Sequence, residues 1–292
     1  SYCTAVGWSS LDSATSGNNN TALGANSLGA TVDGSENTAG GGAALAADCV
    51  ANNAAVGYGA LQSFTGSNAT AVGAYAADAA TSAASLTAVG YSAATTVTDA
   101  TEATAIGAYS LYWNSTGDYN TALGVNSGFQ TNGNRNIFLG GNAGAYATTT
   151  DDCIAIGYNA LKAADSAGDN SDNATGNNNI AIGSYALDAT TTGTENVAIG
   201  YAAGGAVDAG GYNVLIGNNA GSSLDSNFYN VAVGHNALAT ETSSNSNVAI
   251  GFQALQDQNV ASANNVAIGN NAALNLTTGT DSVYMGYLAG GV

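Results

Sequence analysis

The chain has no proline, one histidine, three cysteines and only two cationic side chains, Arg135 and Lys162, among 292 residues. Charged residues make up 8% of it, and the 45% apolar fraction leans on alanine, so one wide core of bulky side chains is not available. No apolar run approaches the roughly 18 residues needed to cross a bilayer, so no membrane insertion is expected of this segment. Twenty acids against two cations give a formal net charge of -18. That charge repels phosphate backbones and anionic lipid heads, which removes nucleic acid from the expected partners.

Catalytic material is equally scarce. The motifs G-x-S-x-G, H-E-x-x-H and G-x-x-x-x-G-K do not occur. The single histidine, His235, stands at a variable position shared with Trp8, Tyr58, Tyr158, Tyr201 and Phe252. An enzyme needs a convergent, irregular cluster of titratable groups, so no catalytic activity, cofactor or metal is expected. Acids such as Asp12, Asp78, Asp99 and Asp188 stand singly among turn residues, and Asp151 and Asp152 form the one adjacent pair. Cys3, Cys49 and Cys153 lack metal-ligand spacing and read as small buried thiols.

What is present is repetition. A short strand-like core ending in glycine recurs as TALG (21–24), AAVG (54–57), IAIG (180–183) and VAIG (197–200 and 248–251). The closing glycine falls at Gly7, Gly24, Gly41, Gly57, Gly73, Gly90, Gly107, Gly124, Gly140, Gly157, Gly183, Gly200, Gly217, Gly234, Gly251, Gly269 and Gly286. Successive spacings are 16 to 18 residues, except for 26 between Gly157 and Gly183. Seventeen repeats therefore fill residues 1–292 as a single repetitive domain.

Aligned on that glycine, the columns acquire physical roles. The preceding residue is Val, Ile, Leu or Met except at Gly40, and two before that stands Thr, Val or Ile except at Ala54. β-branched residues two apart share one face of a strand. Alanine stands between them in most repeats. Four before the glycine comes asparagine, at Asn20, Asn37, Asn53, Asn120, Asn136, Asn179, Asn196, Asn213, Asn230, Asn247 and Asn265. Bulky side chains on one face are expected to fill the core, and the small face is expected to admit a second chain. Recurring Gly, Asn and Thr exclude helices.

One coil per repeat with parallel pairing predicts an all-β parallel β-solenoid of about 17 coils, rising about 4.8 Å per coil to a rod of roughly 80 Å. The asparagines would stack as an amide ladder. Cys3 and Cys153 share the asparagine column about 43 Å apart, well beyond the roughly 7 Å that a disulfide spans, so no bond within the chain is expected. Each coil offers about two bulky positions and looks underfilled, which favours several chains side by side. The sequence opens and closes inside a repeat, which reads as part of a longer or processed polypeptide.

The V-A-I-G-x-x-A pattern, as in Val197–Ala203 and Val248–Ala254, resembles the head repeats of trimeric autotransporter adhesins and related phage tail fibre repeats. The resemblance covers essentially all seventeen repeats. It implies a left-handed parallel β-roll, three chains to a rod, displayed outside the cell on a cell or virion surface. The expected partners are further copies of the chain, as a homotrimer or an end-to-end filament, and a cell-surface glycan or protein receptor.

Three features stand apart from the repeat. Aromatics one or two residues after the glycine, namely Trp8, Tyr58, Tyr75, Tyr91, Tyr109, Tyr158, Tyr185, Tyr201, Phe252 and Tyr287, are expected to pack inward rather than serve as exposed glycan platforms. Sequons at Asn19, Asn68, Asn114, Asn173 and Asn275 match chance in so Asn- and Thr-rich a chain. Nine extra residues within 162–178, rich in Asp, Asn, Ser and Gly, are expected to project as a loop. The function expected is a structural extracellular fibre segment. The alternative is a monomeric binding solenoid such as an ice-binding protein, motivated by the threonine column at Thr4, Thr21, Thr38, Thr70, Thr87, Thr104 and Thr121.

Overall fold

The computed structural model describes residues 2–163, 174–258, 264–276 and 279–290. The chain is all-β and divides into two compact units, Ser1–Gly141 and Asn142–Val292. Among the described residues, the first unit holds strands β1 (Thr4–Val6), β2 (Thr21–Leu23), β3 (Thr38–Gly40), β4 (Ala54–Val56), β5 (Thr70–Val72), β6 (Thr87–Val89), β7 (Thr104–Ile106), β8 (Thr121–Leu123) and β9 (Ile137–Leu139). The second holds β10 (Ile154–Ile156), β11 (Ile180–Ile182), β12 (Val197–Ile199), β13 (Val214–Ile216), β14 (Val231–Val233), β15 (Val248–Ile250), β16 (Val266–Ile268) and β17 (Val283–Met285). Each strand ends on the residue before a repeat glycine.

Within each unit consecutive strands pair in parallel with identical columns opposite one another. Thr4, Ala5 and Val6 face Thr21, Ala22 and Leu23, and Val231, Ala232 and Val233 face Val248, Ala249 and Ile250. Each unit is thus a β-solenoid with one repeat per coil. The glycine column turns the chain out of the strand. Gly200 has φ 138°, open to glycine alone, and a Cβ there would run into the carbonyl of Gly217 in the next coil.

Beyond the glycine the backbone alternates in hand. The second and fourth residues adopt left-handed conformations, as in Asn236 (φ 55°) and Leu238 (φ 53°). Such a conformation costs a leucine about 1–2 kcal/mol. It is offset because the N–H groups of these two residues both find partners, in opposite directions: Asn236 N donates to Asn218 O in the preceding coil at 3.0 Å, and Leu238 N to Ala254 O in the following coil at 3.0 Å. The backbone stays paired outside the strands as well.

The expected facing of the strands is reversed. From β2 to β16 the central residue of each strand, usually alanine, is buried, as is the asparagine before it where one is present, while the flanking residues look outward. The reason is width. The coil is so narrow that its strand side admits little beyond Ala or Asn, and bulk comes from across the coil, from residues such as Leu28, Leu61, Leu187 and Leu238. Where the strand carries more, the far side carries less. Phe138 replaces an alanine, and a Cβ on Gly128 would lie 2.9 Å from its ring. Leu215 does the same opposite Gly204 and Gly221. Interior volume is thereby conserved.

Candidate functional site

Three sets of side chains are positioned by this coil. The first is the outward face of the sheet. In the second unit both outward columns are aliphatic at every strand from β10 to β17: Ile154 and Ile156, Val197 and Ile199, and so on to Val283 and Met285. All of these residues keep part of their surface open to solvent. In the first unit the pre-glycine column is aliphatic except at Gly40, with Leu23, Val56 and Leu123 about half exposed, but its partner column is mostly threonine. Sequence reasoning found these columns and assigned them to the interior.

The second set is aromatic, and here too the inward expectation fails. Trp8, Tyr58, Tyr91, Tyr158, Tyr201 and Phe252 are exposed because the interior has no room for a ring one residue past the glycine. Tyr58, Tyr91, Tyr158, Tyr201 and Phe252 pack instead against rings in adjacent coils. Tyr58, Tyr75, Tyr91 and Tyr109 form an edge-to-face ladder with centroids 5.5, 6.1 and 5.4 Å apart across four coils. The second unit repeats the arrangement at Tyr158, Tyr185 and Tyr201. His235 stacks on Phe252 at 5.4 Å.

The third set is the interior asparagine column. Asn213 N donates to Oδ1 of Asn196 at 3.1 Å, Asn230 N to Asn213 at 2.9 Å, and Asn247 N to Asn230 at 3.0 Å. Nδ2 of Asn196, Asn213 and Asn230 also reaches a turn carbonyl of the next coil, as Asn196 does to Gly210 O at 2.9 Å. In the first unit the column runs through Asn20, Asn37 and Asn53, passes Ala69, Leu86 and Ala103, and resumes at Asn120 and Asn136. Asn179 and Asn265 are held in the same way.

Cys153 occupies this column and imitates an amide: Asn179 N donates to its Sγ at 3.4 Å, while the thiol donates to Gly176 O at 3.5 Å. Burial pushes its thiol up to about 11, and burial also raises Cys49. No disulfide joins Cys3, Cys49 and Cys153. Cys3, in the outermost coil, is exposed, which corrects the buried reading for that residue.

No group of three His, Cys, Asp or Glu side chains among the described residues could hold a metal ion. Asp12 and Asp99 are exposed, whereas partial burial between coils raises Asp78 and Asp188. One acid escaped sequence reasoning. Glu241 is fully enclosed and accepts from the backbone N–H of Ser243 and Ser244 at 2.6 and 2.8 Å. Asn114, one of the sequons, is buried and bonded to both the N–H and the carbonyl of Gly117.

Most of the inserted segment, 164–173, lies outside the described residues, as does the sequon at Asn173. Its flanks are informative. Tyr146 N donates to Lys162 O at 3.1 Å, Ala174 N donates to Tyr146 O at 2.8 Å, and the Lys162 ammonium sits 5.7 Å from the centre of the Tyr146 ring. Both ends of the segment meet at one residue of the preceding coil. β10 and β11 stay in register across it, with Ile154 opposite Ile180.

No protein-family model matches the chain, and no curated protein matches it in sequence.

Proposed function

We propose that this chain is a structural, non-enzymatic segment of an extracellular fibre, in which three copies lie side by side with their outward aliphatic columns facing a common axis. The carrying observation is the double column from Ile154 to Met285. Seven steps of about 4.8 Å make an apolar stripe about 34 Å long, and stripes of a few hundred Å² mark contact surfaces. Its period selects the occupant. A face that repeats with every coil is matched in register by a surface with the same rise, and a second copy of the solenoid has it. The number three follows the adhesin-head and tail-fibre resemblance, as does display on a cell or virion surface. Steady columns, without a convergent cluster of His, Cys, Asp or Glu among the described residues, support scaffolding and attachment over catalysis. The native mass in solution tests the reading: three times the 28.3 kDa chain mass is expected, and a stable folded monomer at micromolar concentration refutes it.

A second reading attaches to the first unit, where Thr4, Thr21, Thr38 and Thr70 stand in an exposed rank beside aliphatic residues, a geometry suited to ice. Thermal hysteresis in a monomeric sample would favour that reading, and its absence from a trimer would remove it.

A further inference from the structure

The tyrosine ladder of the first unit ends at a local departure from the repeat. The fifth and sixth residues after each glycine are small or polar in the described coils, as in Asp12 and Ser13, Gln62 and Ser63, or Ser222 and Ser223, apart from Tyr146 and Leu274. In two successive coils they become Tyr112, Trp113 and Phe129. Together with Tyr109 and Asn126 these residues line a cleft of about 320 Å³, at the lower end of the range of about 300–1,000 Å³ for small-molecule sites. The interior does not call for them. Trp113 is 48% exposed, so its ring is not part of the enclosed core.

The rings are ordered before any ligand arrives. Tyr112 stacks on Phe129 at 5.4 Å and 13°, stands edge-on to Trp113 at 5.0 Å, and is 5.7 Å from Tyr109. Coil-to-coil backbone bonds fix the same segment, Trp113 N donating to Phe129 O at 2.9 Å. Pre-ordered aromatics lose little entropy on binding.

We infer that this cleft is a binding site for a neutral saccharide chain, whose sugar C–H faces lie on the open aromatic surfaces while its hydroxyls meet the Tyr hydroxyls and the Asn126 amide. Charge removes anionic ligands, because the chain carries -18 and neither cation, Arg135 nor Lys162, lines the cleft. An aromatic cage for an organic cation needs rings on opposing sides of one point, and Tyr112 and Phe129 are closed against each other. What remains is a half-exposed platform with polar edges, continued by the ladder from Tyr109 back to Tyr58, which suits an extended polymer. The inference deepens the attachment part of the fibre reading and is measured independently of assembly.

The test titrates the intact chain with malto-, cello-, manno-, xylo- and chitohexaose by calorimetry and saturation-transfer NMR, with native mass recorded on the same samples. Binding of at least one hexaose is expected. Trp113→Ala should weaken it about tenfold, the worth of one well-placed aromatic contact, and Tyr112→Ala should do likewise. Trp8→Ala, at an exposed tryptophan outside the cleft, should leave it unchanged. Absence of binding by every hexaose, binding indifferent to Trp113→Ala, or binding of acetylcholine in their place would overturn the inference, whatever the mass. A chain that binds saccharide as a monomer would uphold it and refute the trimer.

Discussion

Leu215 stands where the neighbouring coils β12 and β14 carry alanine, and Gly221 in the same coil has no side chain: a Cβ there would lie 2.7 Å from Leu215 Cδ2. The pair is a size exchange across a narrow core. Leu215→Ala alone should cost about 2–4 kcal/mol, because glycine on the far side cannot fill the space left. Gly221→Leu alone should overpack by about 1–3 kcal/mol. The double variant restores the Ala and Leu arrangement of the coil ending at Leu238 and should recover most of the loss. Chemical denaturation of the four proteins as a double-mutant cycle checks this, and simple additivity would refute the exchange.

The asparagine column should behave as structure. Asn196→Ala removes the acceptor of Asn213 N and the donor to Gly210 O inside the coil, so a loss of about 1–3 kcal/mol is expected by thermal or denaturant unfolding. Asn18→Ala, at an exposed turn, should change stability by a few tenths at most.

The outward columns should control association. Ile182→Lys combined with Ile199→Lys places charge in the apolar stripe without touching the interior. Light scattering should then report single chains while circular dichroism keeps the β signal. Retention of the wild-type mass would show that copies meet elsewhere, and loss of the β signal would show that the coil needs its neighbours to fold.

Cys153 gives stability a sign with pH. Its folded value, about 11, lies above the ordinary value of 9.0, so the protonated thiol's contribution is complete below about pH 9 and is lost as pH rises toward 11. Between those limits unfolding free energy should fall by about 2–3 kcal/mol. Cys153→Asn, which supplies the column's usual donor and acceptor, should flatten the slope. At pH 8 a thiol reagent should label exposed Cys3 and spare Cys49 and Cys153 until the chain unfolds.

Lys162 and Ala174 both bond to the backbone of Tyr146, so the chain leaves and rejoins the coil at one place. Deleting residues 164–172 restores the 17-residue spacing between Gly157 and Gly183 and should leave the unfolding midpoint and native mass unchanged. Failure to assemble would make the segment part of the core.

The position of every strand was legible in the sequence because glycine at φ of +124° to +148° has no substitute, and its spacing marks each coil. The inside of the strand was not. Alternation separates Val197 and Ile199 from Ala198, yet the width of the coil decides which side is enclosed, and no short pattern carries that width. The same ignorance misplaced the aromatics, since Tyr58 and Tyr91 follow the outward pre-glycine column and are exposed with it. The exchange of Leu215 with Gly204 and Gly221 was visible as three irregular residues whose relation needed the coil to bring them together. Leu238 in a left-handed conformation had no signal at all, leucine being among the residues least suited to it.

Length in such a chain is quantised. Within either unit each coil meets the next through the same three-residue register and the same glycine-on-carbonyl contact, so a whole repeat can be gained or lost and the two new neighbours fit as the old ones did. A single residue gained within a strand has no such solution, because it turns every later side chain of that strand to the opposite face. Reach can therefore change by about 4.8 Å at a time through recombination between repeats, without any new interface having to be invented.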